Sequence, residues 1–62
     1  MSGKIAFLIK DALLNVTVSR IYANTASQAI RAYTGRKPES NPAGLPIGIK
    51  SGVYVIAVPE VK

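Results

Sequence analysis

NTASQAIRAYTG, residues 24–35, reads as an amphipathic helix. Ala26, Ala29, Ile30 and Tyr33 fall at i, i+3, i+4 and i+7, one face of a 3.6-residue period. Thr25 suits the N-cap, with Gln28 three residues on as the other half of a capping box; Asn24 is the alternative cap. Gly35 suits the left-handed residue that ends a helix, and Pro38 stops it from resuming. A helix this short is marginal alone, so its apolar face must lie on something.

Outward from the helix, the chain reads as strands. Lys4–Lys10 (KIAFLIK) is nearly continuous in apolar residues, the pattern of a central strand or of one covered on both faces. Asp11–Asn15 is a hairpin connection, with Asp and Asn as turn formers. Its Leu13 and Leu14 are expected to flap over one end of the core; an exposed apolar contact for a partner or a dimer mate is the alternative. Val16–Ala23 (VTVSRIYA) is rich in β-branched and aromatic residues. Its apolar side switches near Ser19–Arg20, as a bulge or an outer end leaving the core would require. Arg36–Gly44 is loop by composition. Leu45–Lys50 is a short strand that Pro46 assigns to a sheet edge. Ser51-Gly52 is a hairpin turn leading to Val53–Val58, and Pro59 ends that strand. The expected fold is α+β in one domain over residues 1–62, a small antiparallel sheet with one helix across it, in the order β-β-α-β-β.

Composition narrows the chemistry. With no Cys and no His among 62 residues, disulfides, thiol chemistry, Cys-based zinc sites and the commonest general base are all excluded. The three acids, Asp11, Glu39 and Glu60, are far apart in sequence, and no phosphate-cradling glycine motif occurs. Gly44, Gly48 and Gly52 recur every fourth residue, a spacing read as hairpin geometry. The expectation is a binding protein, not an enzyme, with no cofactor and no metal. No apolar run reaches the ~20 residues of a membrane span, and the short run after Lys4 is followed by no cleavage site, so a soluble intracellular protein is expected.

The net charge is +5, and no acid lies between Asp11 and Glu39. Arg20, Arg31, Arg36 and Lys37 fall in that interval. Such a bias favours a negatively charged partner, nucleic acid or an acidic protein groove; a solubilising surface is the plain alternative. Arg36 and Lys37, just past the helix end, also complement the helix dipole without any ligand. Tyr33 is expected in the core with its hydroxyl at the surface.

Three segments resemble a small phage-encoded anti-CRISPR family, the ninth described against type I-F surveillance complexes: Ala6–Asp11 as the opening strand, Ile21–Arg31 leading into and along the helix, and Gly48–Val55 as a closing hairpin. The most specific piece is Ser27-Gln28-Ala29 with Arg31. The proline-rich loop from Lys37 to Gly44 and the missing acidic, Trp-bearing tail depart from that family, so contacts made there do not transfer. The resemblance implies an inhibitor in the cytoplasm of a bacterial host cell. It would dock on Cas proteins of a type I effector complex and obstruct target-DNA binding. Arg31 is carried over by position as a partner contact; Arg20, Arg36, Lys37 and Lys50 join it on charge alone. The short nonstructural proteins of small single-stranded-DNA phages also resemble the strand–helix–strand outline. They imply the alternative of a basic single-stranded nucleic-acid-binding protein. A third reading is a structural protein that forms a homodimer through an exposed strand.

Overall fold

The computed structural model describes residues 3–40 and 44–60. Met1, Ser2, residues 41–43 within the proline-rich loop, Val61 and Lys62 lie outside them. In chain order the elements are β1 (Ile5–Asp11), β2 (Thr17–Ala23), α1 (Ala26–Thr34), β3 (Glu39–Ser40), β4 (Pro46–Lys50) and β5 (Val53–Pro59). The strands form one sheet in the order β2-β1-β5-β4-β3, and every pair is antiparallel. The α+β class holds, with one helix on a five-stranded antiparallel sheet. The expected order lacked β3, a two-residue strand inside the segment read as loop. Because β3 pairs Ser40 with Pro46 and Glu39 with Ile47, β4 is not the outermost strand. Pro46 stands at its first residue, where a missing N–H costs the ladder least.

The helix is held at both ends as its residues predict. Thr25 is the N-cap, and its hydroxyl oxygen accepts from the Gln28 N–H at 3.2 Å. Gln28 Oε1 accepts from the Asn24 N–H at 3.2 Å, one residue earlier than a standard capping box. Gly35 ends the helix at φ 78°, donating to the Arg31 carbonyl at 2.8 Å. The inward face, Ala29 and Ile30 buried with Ala26 and Tyr33 beside them, packs on Phe7 and Ile9 of β1, Ala23 of β2 and Val55 of β5.

Gly48 of β4 makes this seating possible. A Cβ there would stand 2.4 Å from Ile30 Cγ2 and 2.8 Å from Thr34 Cγ2, so the helix rests on bare backbone. Gly48 therefore does not serve a turn, contrary to the expectation from the glycine spacing. Gly52 does, at φ 80° after Ser51 at φ 53°, the left-handed pair of a tight hairpin.

The irregularity expected near Ser19–Arg20 is present one residue earlier. Ile9 pairs with Ser19 and Lys10 with Thr17, which leaves Val18 as the extra residue of a bulge. Beyond the bulge Ile21 and Ala23 face the helix, while Arg20 and Tyr22 face away.

Strand alternation then gives the sheet two unlike faces. Phe7, Ile9, Ala23 and Val55 lie under α1. Their neighbours Ala6, Leu8, Ile56, Val58 and Ile47 point to the opposite side, where no described element lies. They are half-buried. The first strand is central, as expected, but one of its faces is open.

Candidate functional site

The β1–β2 connection is a tight turn. Asp11 Oδ1 accepts from the backbone N–H groups of Leu13 and Leu14 at 2.8 and 2.9 Å, and Asn15 takes φ 58° to close it. The two leucines are thereby pushed outward, 90% and 68% exposed. Contrary to the expectation of a flap over the core, they stand in solvent.

The five cations expected to meet a partner fall into three places. Arg20 projects from the helix-free side of β2 and is already engaged. Its NH2 and Nε groups meet Glu60 Oε1 at 2.7 and 2.9 Å, and its guanidinium lies 5.4 Å from the Tyr22 ring centre. The hydrogen bond it donates to Glu60, and the charge of that carboxylate, hold this guanidinium above the usual arginine range. Lys50 sits at the β4–β5 hairpin with its ammonium 4.3 Å over the Tyr33 ring. Tyr33 is half-buried against the core, as expected, and its outer face serves that cation.

Arg31, Arg36 and Lys37 are brought together. Arg31 lies on the flank of α1 that carries Ser27, and the chain turns at Gly35 so that residues 36–40 run back beside that flank. A shallow groove of about 500 Å3 results, lined by Ser27, Gln28, Arg31, Lys37, Pro38 and Ser40. On the other side of the same segment, a second groove of about 160 Å3 follows the outer edge of β4. Arg36 and Lys37 line it with Thr34, Ile49 and Tyr54, and Glu39 forms part of its wall. Thr34 anchors the segment between the grooves. Its hydroxyl donates to the Ile30 carbonyl at 2.9 Å and accepts from the Arg36 N–H at 3.1 Å.

None of these three cations makes an ion pair with a described acid. Glu60 is spent on Arg20, Asp11 caps its own turn, and only Glu39 is nearby. The arrangement presents three positive charges, the hydroxyls of Ser27 and Ser40 and the amide of Gln28 along two adjoining grooves. Tyr54, 61% exposed, stands at the mouth of the second. Such a surface can follow a chain of negative charges, and the tyrosine can take a flat ring on its face.

Of the five cations named from the sequence, Arg31, Arg36 and Lys37 lie along these grooves and Arg20 and Lys50 stand apart. Ser27 was named only within the family resemblance, and neither Tyr54 nor Ser40 was named as a contact. The alternation of VYVIAV already put Tyr54 opposite Val55, and that was the available signal. Among the described residues no group of three acidic, His or Cys side chains could hold a metal ion, and no helix is long and apolar enough to cross a membrane. Comparison with protein-family models, with curated proteins and with solved structures finds no match.

Proposed function

We propose that this chain is a small single-stranded nucleic-acid-binding protein. Phosphates run along Arg31, Lys37 and Arg36, and a base stacks on Tyr54. The observation that carries the reading is the convergence of three cations, without ion-pair partners among the described residues, on two grooves that share Lys37, beside an exposed aromatic ring. Both elements of sequence-tolerant single-strand recognition are thus adjacent.

The reading makes a numerical commitment. Three phosphate contacts on a single strand give a slope of about −2 in log affinity against log salt, or a loss of roughly twentyfold between 50 and 200 mM. Titration of the protein into fluorescent single-stranded oligonucleotides over that range measures it. Arg31→Glu with Arg36→Glu should abolish binding while the circular dichroism spectrum and melting temperature stay as in the parent. Tyr54→Ala should weaken binding about ten- to hundredfold with little change in slope. Binding that ignores salt or survives the double charge reversal defeats the proposal.

The inhibitor reading is supported by a different observation, the two leucines held outward at the β1–β2 tip, which suit a protein partner. It shares Arg31 as a contact. A pulldown against purified type I CRISPR effector complexes separates the two. Capture of an effector with loss of its target-DNA binding, and no affinity for free oligonucleotides, would replace the nucleic-acid reading with the inhibitor.

A further inference from the structure

The helix-free face of the sheet reaches the second groove only at its β3–β4 end, through Glu39, Ile47, Ile49 and Tyr54, and its chemistry is that of a surface made to meet its own copy. One cross-strand row carries the case. Lys10 on β1 pairs with Ile56 on β5, Ile56 with Ile47 on β4, and Ile47 with Glu39 on β3. Read across the sheet, the row is cation, apolar, apolar, anion.

A two-fold axis along the strands, beneath the gap between β5 and β4, reverses that order in a second copy. Ile56 then lies over the partner copy's Ile47, and Lys10 over its Glu39, each contact occurring twice. Rotation about an axis along the strands keeps every residue in its own row, so the charges meet without a register change. Long side chains reach across the roughly 10 Å between packed sheets. Neither Lys10 nor Glu39 has an ion-pair partner among the described residues. Charges of one sign would point to a foreign partner; a row that reads cation to anion is self-complementary, the condition for an isologous interface.

The area is that of a weak contact. The four strands hold 7, 7, 5 and 2 residues, so at about 3.4 Å per residue and about 4.8 Å between strands the face measures about 340 Å2 per copy. Two copies together fall in the range below about 1,200 Å2 where weak, transient interfaces lie. The next row, Leu8 and Val58, extends the apolar centre. Only six hydrophobic residues are buried among the described residues, so the chain gains proportionately from covering a second layer.

We propose that the chain forms a weak two-fold dimer, sheet face on sheet face, with Lys10 of each copy against Glu39 of the other and both helices outward. The Arg31 groove stays open on each copy, but the dimer covers Glu39 and Ile47 of the second groove and the face that carries Tyr54. Association and a base stacked on Tyr54 therefore compete, and Lys10→Glu, at a position that lines neither groove, tests the dimer separately.

Sedimentation velocity on the full chain, from about 1 to 500 μM, should show a monomer–dimer equilibrium in the micromolar range expected of so small an interface. The melting temperature should rise with concentration. Lys10→Glu should weaken association at least tenfold, and so should Glu39→Lys. The double variant exchanges the two charges and should restore association to within about threefold of the parent, a result no loss of folding can mimic. Ile56→Asp should give a monomer with an unchanged circular dichroism spectrum. A monomer at every concentration overturns the proposal. So does a dimer indifferent to Lys10→Glu, which would have to use the open edge of β2, and so does failure of the double variant to associate.

Discussion

The two faces of one sheet are built from alternate residues of the same strands, yet they differ in kind. On the helix side Ile9 and Val55 are 0% and 1% exposed and meet Ile30, also 0%, across a dry contact. On the other side Leu8 and Ile56, their immediate neighbours, stay half in water. Hydrophobicity alone does not make a core. A residue is core where a second layer exists, and here that layer is nine helical residues seated on a glycine.

The largest effect expected from this contrast is the loss of Ile30. Ile30→Ala should cost about 2–5 kcal/mol, much of the roughly 3–9 kcal/mol available to a chain of this length. A urea melt of dilute protein reads it. Ile56→Ala on the open face should cost well under half as much in the same melt. Equal losses would show that the faces are energetically alike and would remove the contrast. Gly48→Ala comes next. The added methyl must displace Ile30 or Thr34, at about 1–3 kcal/mol, whereas an alanine at the exposed Gly3, where nothing lies within 4 Å, should be close to neutral. Thr25→Ala should cost about 1 kcal/mol, seen as a fall of about 4–8 °C in melting temperature, and Thr25→Ser should recover most of it. The smallest effect is expected at Arg20 and Glu60. Their ion pair is half in solvent, so Glu60→Gln should leave the melting temperature within experimental error at low and high salt alike. A clear loss would mean that the rim of the open face contributes to folding.

What the sequence made legible follows the range of the interactions. The helix, both of its caps, the Ser51-Gly52 turn and the centrality of β1 rest on residues within a few positions of one another. The bulge was visible as a switch in alternation, displaced by one residue. Gly48 was not legible, because its neighbours Ile30 and Thr34 lie far back in the chain. Nor was the engagement of Arg20, whose partner is 40 residues away. Leu13 and Leu14 were misjudged because their exposure depends on Asp11 Oδ1 taking two backbone donors, a detail of turn geometry beneath the hydrophobic pattern. The two residues of β3 carry no strand signature of their own; β4 supplies it by pairing. At the candidate site, charge counting found Arg31, Arg36 and Lys37, but only the fold separates them from Arg20 and Lys50.

The pairing of β1 with β5 has one further consequence. The Glu60 N–H donates to the Ala6 carbonyl at 2.8 Å, so the start of the first strand and the end of the last lie side by side. The path of the backbone is therefore nearly a closed loop. Joining β5 to β1 through a short linker and opening the chain between Leu13 and Leu14 would turn its longest-range pairing into a hairpin. Every strand contact but that of β2 with β1 would then be local. Such a rearranged chain should reach the same fold, and its different contact order should change the rate at which it does so.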